Sequence, residues 1–158
     1  MTNSYLYQKQ DIVCNVRGDC MSVAIACVLG IHKSNVPKFI ADAYDSGSPA
    51  AWNRNFWNWL RDQNIRMIEV AFKDIHDYRA IDGIICECTM PSQKFEGSTH
   101  AVVGGWFYVE QEDGIGGYSE FRVINDPNPF NQPYSIEVKP TYVRFYFKST
   151  ETMRLSGH

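Results

Sequence analysis

The sequence predicts an α+β fold, with an N-terminal helical layer packed on an antiparallel β-sheet. Two observations carry this. Between Cys20 and Gln63 apolar residues recur at helical spacing, and after Asn64 the period changes to that of strands. The strand-like runs are rich in Val, Ile, Tyr and Phe, and Gly, Pro, Asn or Asp separate them. Helices first and strands afterwards is the order of an α+β chain, not of alternating βαβ units.

The first helix is read over 20–29, from the run Gly18-Asp19-Cys20-Met21-Ser22-Val23-Ala24-Ile25-Ala26-Cys27-Val28-Leu29-Gly30. Its small residues allow close packing, Asp19 is the expected N-cap and Gly30 the expected stop. Ser34 is the expected N-cap of a second helix over about 35–44, where Val36, Phe39, Ile40 and Tyr44 share a face and Pro37 is tolerated near the first turn. Residues 45–49 read as a loop. A third helix is expected over 50–63, with Trp52, Phe56, Trp59 and Leu60 on one stripe and Trp57 beside it, a pattern that predicts core packing.

Strands are expected at 65–72, 83–89, 100–110, 118–125, 134–138 and 142–148. Residues 73–79 read as a short helix or turn. Residues 113–117 read as a hairpin loop; their glycines neither follow G-x-G-x-x-G nor open a helix, so no phosphate site is expected there. Without a repeat or linker, residues 1–150 read as a single domain and 151–158 as a C-terminal tail.

With 158 residues, 44% hydrophobic and 14% aromatic, the chain can bury a substantial core. The net charge of −3 and the absence of a basic run argue against a nucleic-acid partner. The N-terminal residues hold no apolar stretch of signal-peptide kind, and no run approaches the roughly 20 apolar residues of a membrane span. The expectation is therefore a soluble, cytoplasmic protein without a membrane partner. Cys14, Cys20, Cys27, Cys86 and Cys88 are an odd number of cysteines, which fits reduced thiols better than a disulfide framework.

Cys20 is the residue with the most chemical promise. It opens an apolar helix, where unpaired N–H groups and the macrodipole favour negative charge. A thiol nucleophile also needs a base within hydrogen-bond reach and a group that orients the base. His100 opens the strand-like run His100-Ala101-Val102-Val103, and Asp126 follows the run Phe121-Arg122-Val123-Ile124-Asn125. A carboxylate on imidazole Nδ1 would hold the tautomer and stabilise the imidazolium. Asn125 competes with Asp126 for that role, since a shift of one residue along a strand turns the side chain to the other face.

The order of these residues resembles the papain-like cysteine peptidase superfamily, with a helix-borne Cys, then a sheet-borne His, then Asn or Asp. More narrowly, the chain looks like small papain-like proteins of phages and bacteria related to bacteriocin-processing (double-glycine) peptidases. The residues that carry the resemblance are Gln10, Gly18-Asp19-Cys20 with Ala24-Ile25-Ala26-Cys27-Val28-Leu29-Gly30, His100-Ala101-Val102-Val103, and Asp126-Pro127-Asn128-Pro129. They cover about residues 10 to 130. The resemblance implies a papain-like fold, Cys20 as nucleophile, His100 as general acid/base, Asp126 as its orienter and Gln10 as an oxyanion-hole donor beside the Cys20 N–H. Gln10 lies farther before the cysteine than in many such enzymes. Position 14 is Cys14, which is no amide donor, and Asn15 competes for the role.

The implied activity is hydrolysis of a peptide, isopeptide or related amide bond through a thioester. The substrate would be a peptide, a protein or a peptidoglycan peptide, and no cofactor is implied. The compartment would be the cytoplasm, the host's for a phage-encoded chain. The loop Met90 to Ser98, just before His100, is placed to line the cleft or merely to connect strands. Two alternatives stand beside the enzyme. One is a catalytically silent papain-like binding module acting between phage and host. The other is a metal site built from Cys86-Glu87-Cys88 with Cys14, Cys20 or His100. A C-x-C pair in a strand puts both thiols on one face, which suits core packing as well.

Overall fold

The computed structural model describes residues 4–149, so the expected tail at 151–158 lies outside the described residues. Three helices, α1 (Cys20–Leu29), α2 (Phe39–Asp45) and α3 (Trp52–Asp62), precede five strands. These are β1 (Ile65–Ala71), β2 (Ile85–Pro91), β3 (Thr99–Glu110), β4 (Gly117–Asn125) and β5 (Tyr142–Lys148). They form one antiparallel sheet in the order β1-β5-β2-β3-β4. The α+β class and the helix-first order are as expected, and the last strand enters the sheet between β1 and β2.

The helices cover one face of this sheet. Val23, Ala24, Ile25, Ala26 and Cys27 of α1 are buried with Phe39, Phe56, Leu60, Ala101 and Val103. Small side chains let α1 lie close to β3, so it is buried nearly all round. Gly30 adopts the left-handed conformation, φ 67°, while Ile31 N–H donates to Ala26 O and ends the helix. Phe39 of α2 meets Phe56 and Trp59 of α3 edge to face, with centroids 5.5 and 5.6 Å apart. Trp57 stays half exposed beside the stripe.

The second helix differs from expectation. Val36 is extended because Pro37 follows it, and the run splits into a single 3₁₀ turn at Lys33–Asn35 and α2 from Phe39. Ser34 does not cap α2; its N–H donates to His32 Nδ1.

The other face of the sheet carries a second core, with Cys86, Cys88, Met90, Val102, Trp106, Phe121, Val143 and Phe145. Phe72 and Tyr78, from 3₁₀ turns at Phe72–Asp74 and Tyr78–Ile81, stack on Trp106. The expected strand at 134–138 does not form. Pro133 and Pro140 flank the segment and supply no N–H to a ladder, and Tyr134 and Val138 instead pack over this second face. Residues 111–116 make the β3–β4 hairpin loop, closed by Gln111 N–H on Gly116 O.

Cys86 and Cys88 point into the second core, with their sulfurs 3.6 Å apart. Among the described residues no three His, Cys, Asp or Glu side chains are placed to hold a metal ion. Glu87, between the two cysteines, faces the opposite way and is buried. Arg144 stands directly across from both Glu69 and Glu87 in the ladder, and it donates to both, at 2.6 and 3.1 Å. Tyr146 O–H donates to the other oxygen of Glu87. Burial raises the Glu87 carboxyl above its ordinary value, and Arg144 and Tyr146 pull against that rise.

Candidate active site

The N-terminal segment is tied across the end of the sheet before α1 begins. Gln8 Nε2 donates to Ile31 O and Gln8 Oε1 accepts from Lys33 N–H. Gln10 N–H donates to Pro127 O at 2.9 Å, which sets residue 10 beside the end of β4. The chain then closes on itself. Asp19 N–H reaches Ile12 O, and the Asp19 carboxylate accepts from the N–H groups of Ile12 and Asp11, at 3.0 and 3.3 Å.

That use of Asp19 departs from the expected cap. Its carboxylate serves the closed loop and Lys38, at 3.4 Å, and no side chain caps α1. The first-turn N–H groups of α1, beginning at Cys20, therefore keep their donors for a ligand or a developing anion. Gly18 is required here by packing. A Cβ on it would lie 2.7 Å from Cys14 O, and two residues later comes the thiol.

His100 lies at the start of β3, opposite Met90 of β2, and is 8% exposed. Its Nε2 is 2.5 Å from Asp126 Oδ1, not the Nδ1 contact expected from the sequence. The strand end delivers the ring with its ε edge toward Asp126, and Cys20 is the second group that acts on the imidazole. Burial works against a charged ring. The interactions with Asp126 and Cys20 outweigh it and raise His100 from 6.5 to about 9. The imidazole is thus a cation at neutral pH.

Asp126 is held from three sides. Besides His100, it accepts from Asn128 N–H and from Asn131 Nδ2, both at 2.8 Å. Burial pushes its carboxyl up, and these donors with the His100 charge bring it below the usual carboxylate value. Asn125 takes no part. It ends β4 facing α1, donating to Gln8 O and Cys27 Sγ, so the alternation of the strand decides between the two neighbours. Neither Asn128, which lies in the run Asp126-Pro127-Asn128-Pro129, nor Asn131 is a site residue expected from the sequence, and nothing in the sequence marks Asn131.

Cys20, His100, Gln10, Asn15 and Cys14 line one cavity of about 70 Å³. Ser92 and Phe95 line it too, so the 90–98 loop does border the thiol. Gln10 is buried; one Nε2 hydrogen goes to Ile12 O, and its Oε1 has no partner among the described residues. Asn15 is exposed, and its Oδ1 accepts from Ser98 Oγ. A larger cavity of about 500 Å³ lies behind Asp126, walled by β4 and by Asn131, Tyr134 and Ile136, and Asn128 borders both spaces. Tyr134 O–H donates to Pro91 O. Burial, and then the negative charge of Asp126, push its phenol up. Among the described residues no helix is long and apolar enough to cross a membrane.

The arrangement is a thiol at an uncapped helix N-terminus, a buried imidazolium and a carboxylate fixed by two asparagines. Compared with protein-family models, with curated proteins and with solved structures, the chain matches none.

Proposed function

We propose that this protein is a cysteine hydrolase of papain-like kind, cleaving a peptide, isopeptide or related amide bond. The observation that carries the reading is the grouping of Cys20, His100 and Asp126, with the imidazole Nε2 on the carboxylate at 2.5 Å and Cys20 and His100 lining one cavity. Nothing in packing alone calls for a buried imidazolium between a sulfur and a carboxylate, since each buried charge costs solvation.

In this reading Cys20 attacks the substrate carbonyl as a thiolate. The oxyanion forms against the Cys20 N–H and the second Nε2 hydrogen of Gln10. His100 gives its proton to the leaving amine, and the thioester remains on Cys20. Water then attacks, with the now neutral His100 taking its proton, and the acid leaves. Asp126 fixes the ring throughout. The choice of Gln10 over Asn15 rests on burial, because a pre-organised donor stabilises charge best where water is excluded. A peptide, protein or peptidoglycan peptide fits as substrate, and a reducing compartment such as the cytoplasm fits the five free thiols.

Iodoacetamide labelling across pH, read by mass spectrometry at each cysteine, tests the proposal. Cys20 is expected to label far faster than Cys27, Cys86 and Cys88 below pH 7, and His100→Ala to abolish that advantage. Equal labelling in the two proteins overturns it. A peptide-library screen then reads cleavage, with Cys20→Ala as the blank.

A further inference from the structure

Cys14 plays no part in the mechanism above, yet it shares the 70 Å³ cavity with Cys20 and His100. The other three cysteines are each 0% exposed in the two cores, so Cys14 and Cys20 are the two thiols that solvent reaches. The loop that carries Cys14 is closed by the Asp19 hydrogen bonds, and Gly18 lies against the Cys14 carbonyl. The fold therefore folds residue 14 back toward the segment leading into residue 20.

We propose that Cys14 and Cys20 form a dithiol oxidation site, in which Cys14 resolves the oxidised nucleophile as a reversible disulfide. This rests on the reading of Cys20 as a nucleophilic thiolate. The oxidant is a hydroperoxide. The Cys20 sulfur attacks the distal peroxide oxygen, the O–O bond breaks, and the alkoxide (hydroxide, for hydrogen peroxide) departs and is protonated, with Cys20 now a sulfenic acid. Cys14 thiolate then attacks the Cys20 sulfur. The S–S bond forms, the S–O bond breaks, and hydroxide leaves and takes up a proton from His100. Two thiols are oxidised and one peroxide is reduced to water and its alcohol or a second water.

The surroundings of Cys14 suit the resolving role. The backbone N–H groups of Val16, Arg17 and Asn15 and the Arg17 charge hold its thiol below the ordinary value against a small burial cost. A partly exposed thiol of that kind that shares a cavity with a second one is the usual arrangement in redox-sensing cysteines. A turn at 15–17 separates the two cysteines, and the disulfide requires their Cα atoms to come within about 4.4–6.8 Å.

The full-length reduced protein, treated with equimolar hydrogen peroxide, blocked with N-ethylmaleimide and digested with trypsin without reductant, provides the test. Cleavage after Arg17 separates peptide 10–17, holding Cys14, from peptide 18–33, holding Cys20 and Cys27, and fragmentation distinguishes the last two. The expected product is a Cys14–Cys20 cross-link, with loss of iodoacetamide labelling at both residues that dithiothreitol restores. In Cys14→Ser the same treatment should stop at the Cys20 sulfenic acid, which dimedone traps, and only excess peroxide should carry it on to the sulfinic acid, beyond rescue by dithiothreitol. Failure to find the cross-link while Cys20 labels rapidly overturns this inference and leaves the hydrolase. Failure of both the cross-link and the rapid labelling overturns both. A cross-link that joins Cys14 to Cys27 also overturns it.

Discussion

Asp126 Oδ1 sits 2.5 Å from His100 Nε2, and His100 shares a cavity with the Cys20 thiol. The carboxylate has two further donors, Asn128 N–H and Asn131 Nδ2, so it is fixed before any substrate arrives. A ring clamped on one edge has one direction left in which to give or take a proton, and that direction is the sulfur.

The pH dependence follows from His100. Its folded value, about 9, lies above the unfolded 6.5, so the stability it contributes is fully present below pH 6.5 and is lost as pH rises through about 9. A rise of roughly 2.5 units corresponds to an order of 3 kcal/mol. Urea unfolding at pH 6 and pH 10 should show this loss in the wild type and a smaller one in His100→Ala. Cys20 labelling should keep its dependence on His100 up to pH 9.

Asp126→Ala and Asn125→Ala should fail in different ways. Without the carboxylate the ring loses its largest support, and Cys20 reactivity or turnover should drop by roughly 10²- to 10⁴-fold, with the alkaline limb moved to lower pH. Asn125→Ala leaves Gln8 O without its buried donor and should cost about 1–3 kcal/mol in denaturant stability, while the labelling advantage of Cys20 remains. If Asn125→Ala removes the advantage and Asp126→Ala does not, the assignment is reversed.

Gly18→Ala tests the loop that leads to the nucleophile. The added methyl meets the Cys14 carbonyl at 2.7 Å, a backbone atom that cannot swing aside. Thermal unfolding should show a loss of about 1–3 kcal/mol, with slowed Cys20 labelling. Gly47→Ala, with nothing within 4 Å of the new methyl, bears only the strain of its positive φ and should leave labelling as it was.

The Arg144 network is expected to matter for stability alone. Arg144→Ala would leave Glu87 buried at 1% exposure with only Tyr146 as partner, and loss of one member of a buried pair costs about 3–5 kcal/mol. Arg144→Ala should therefore melt much lower than Arg122→Ala, since Arg122 is itself 54% exposed in its pair with Glu120. The fraction that remains folded should keep its Cys20 reactivity, which labelling below the melting range measures.

The sequence by itself determined what depends on near neighbours. The small-residue run closed by Gly30 made α1, the change of period at Asn64 separated helices from strands, and the helix start at Cys20 marked the thiol. Each is a choice among local conformations, dictated by side chains within a few positions. The tertiary structure decided everything that joins distant residues. Arg144 drew β5 between β1 and β2, and residues 134–138 covered a second core instead of extending the sheet. Asp19 turned from the helix to the loop at Ile12, and the pleat of β4 sent Asn125 to α1 and Asp126 to His100. Those outcomes balance buried hydrogen bonds and charges against alternatives elsewhere in the chain, and no short window of residues contains both sides of that balance.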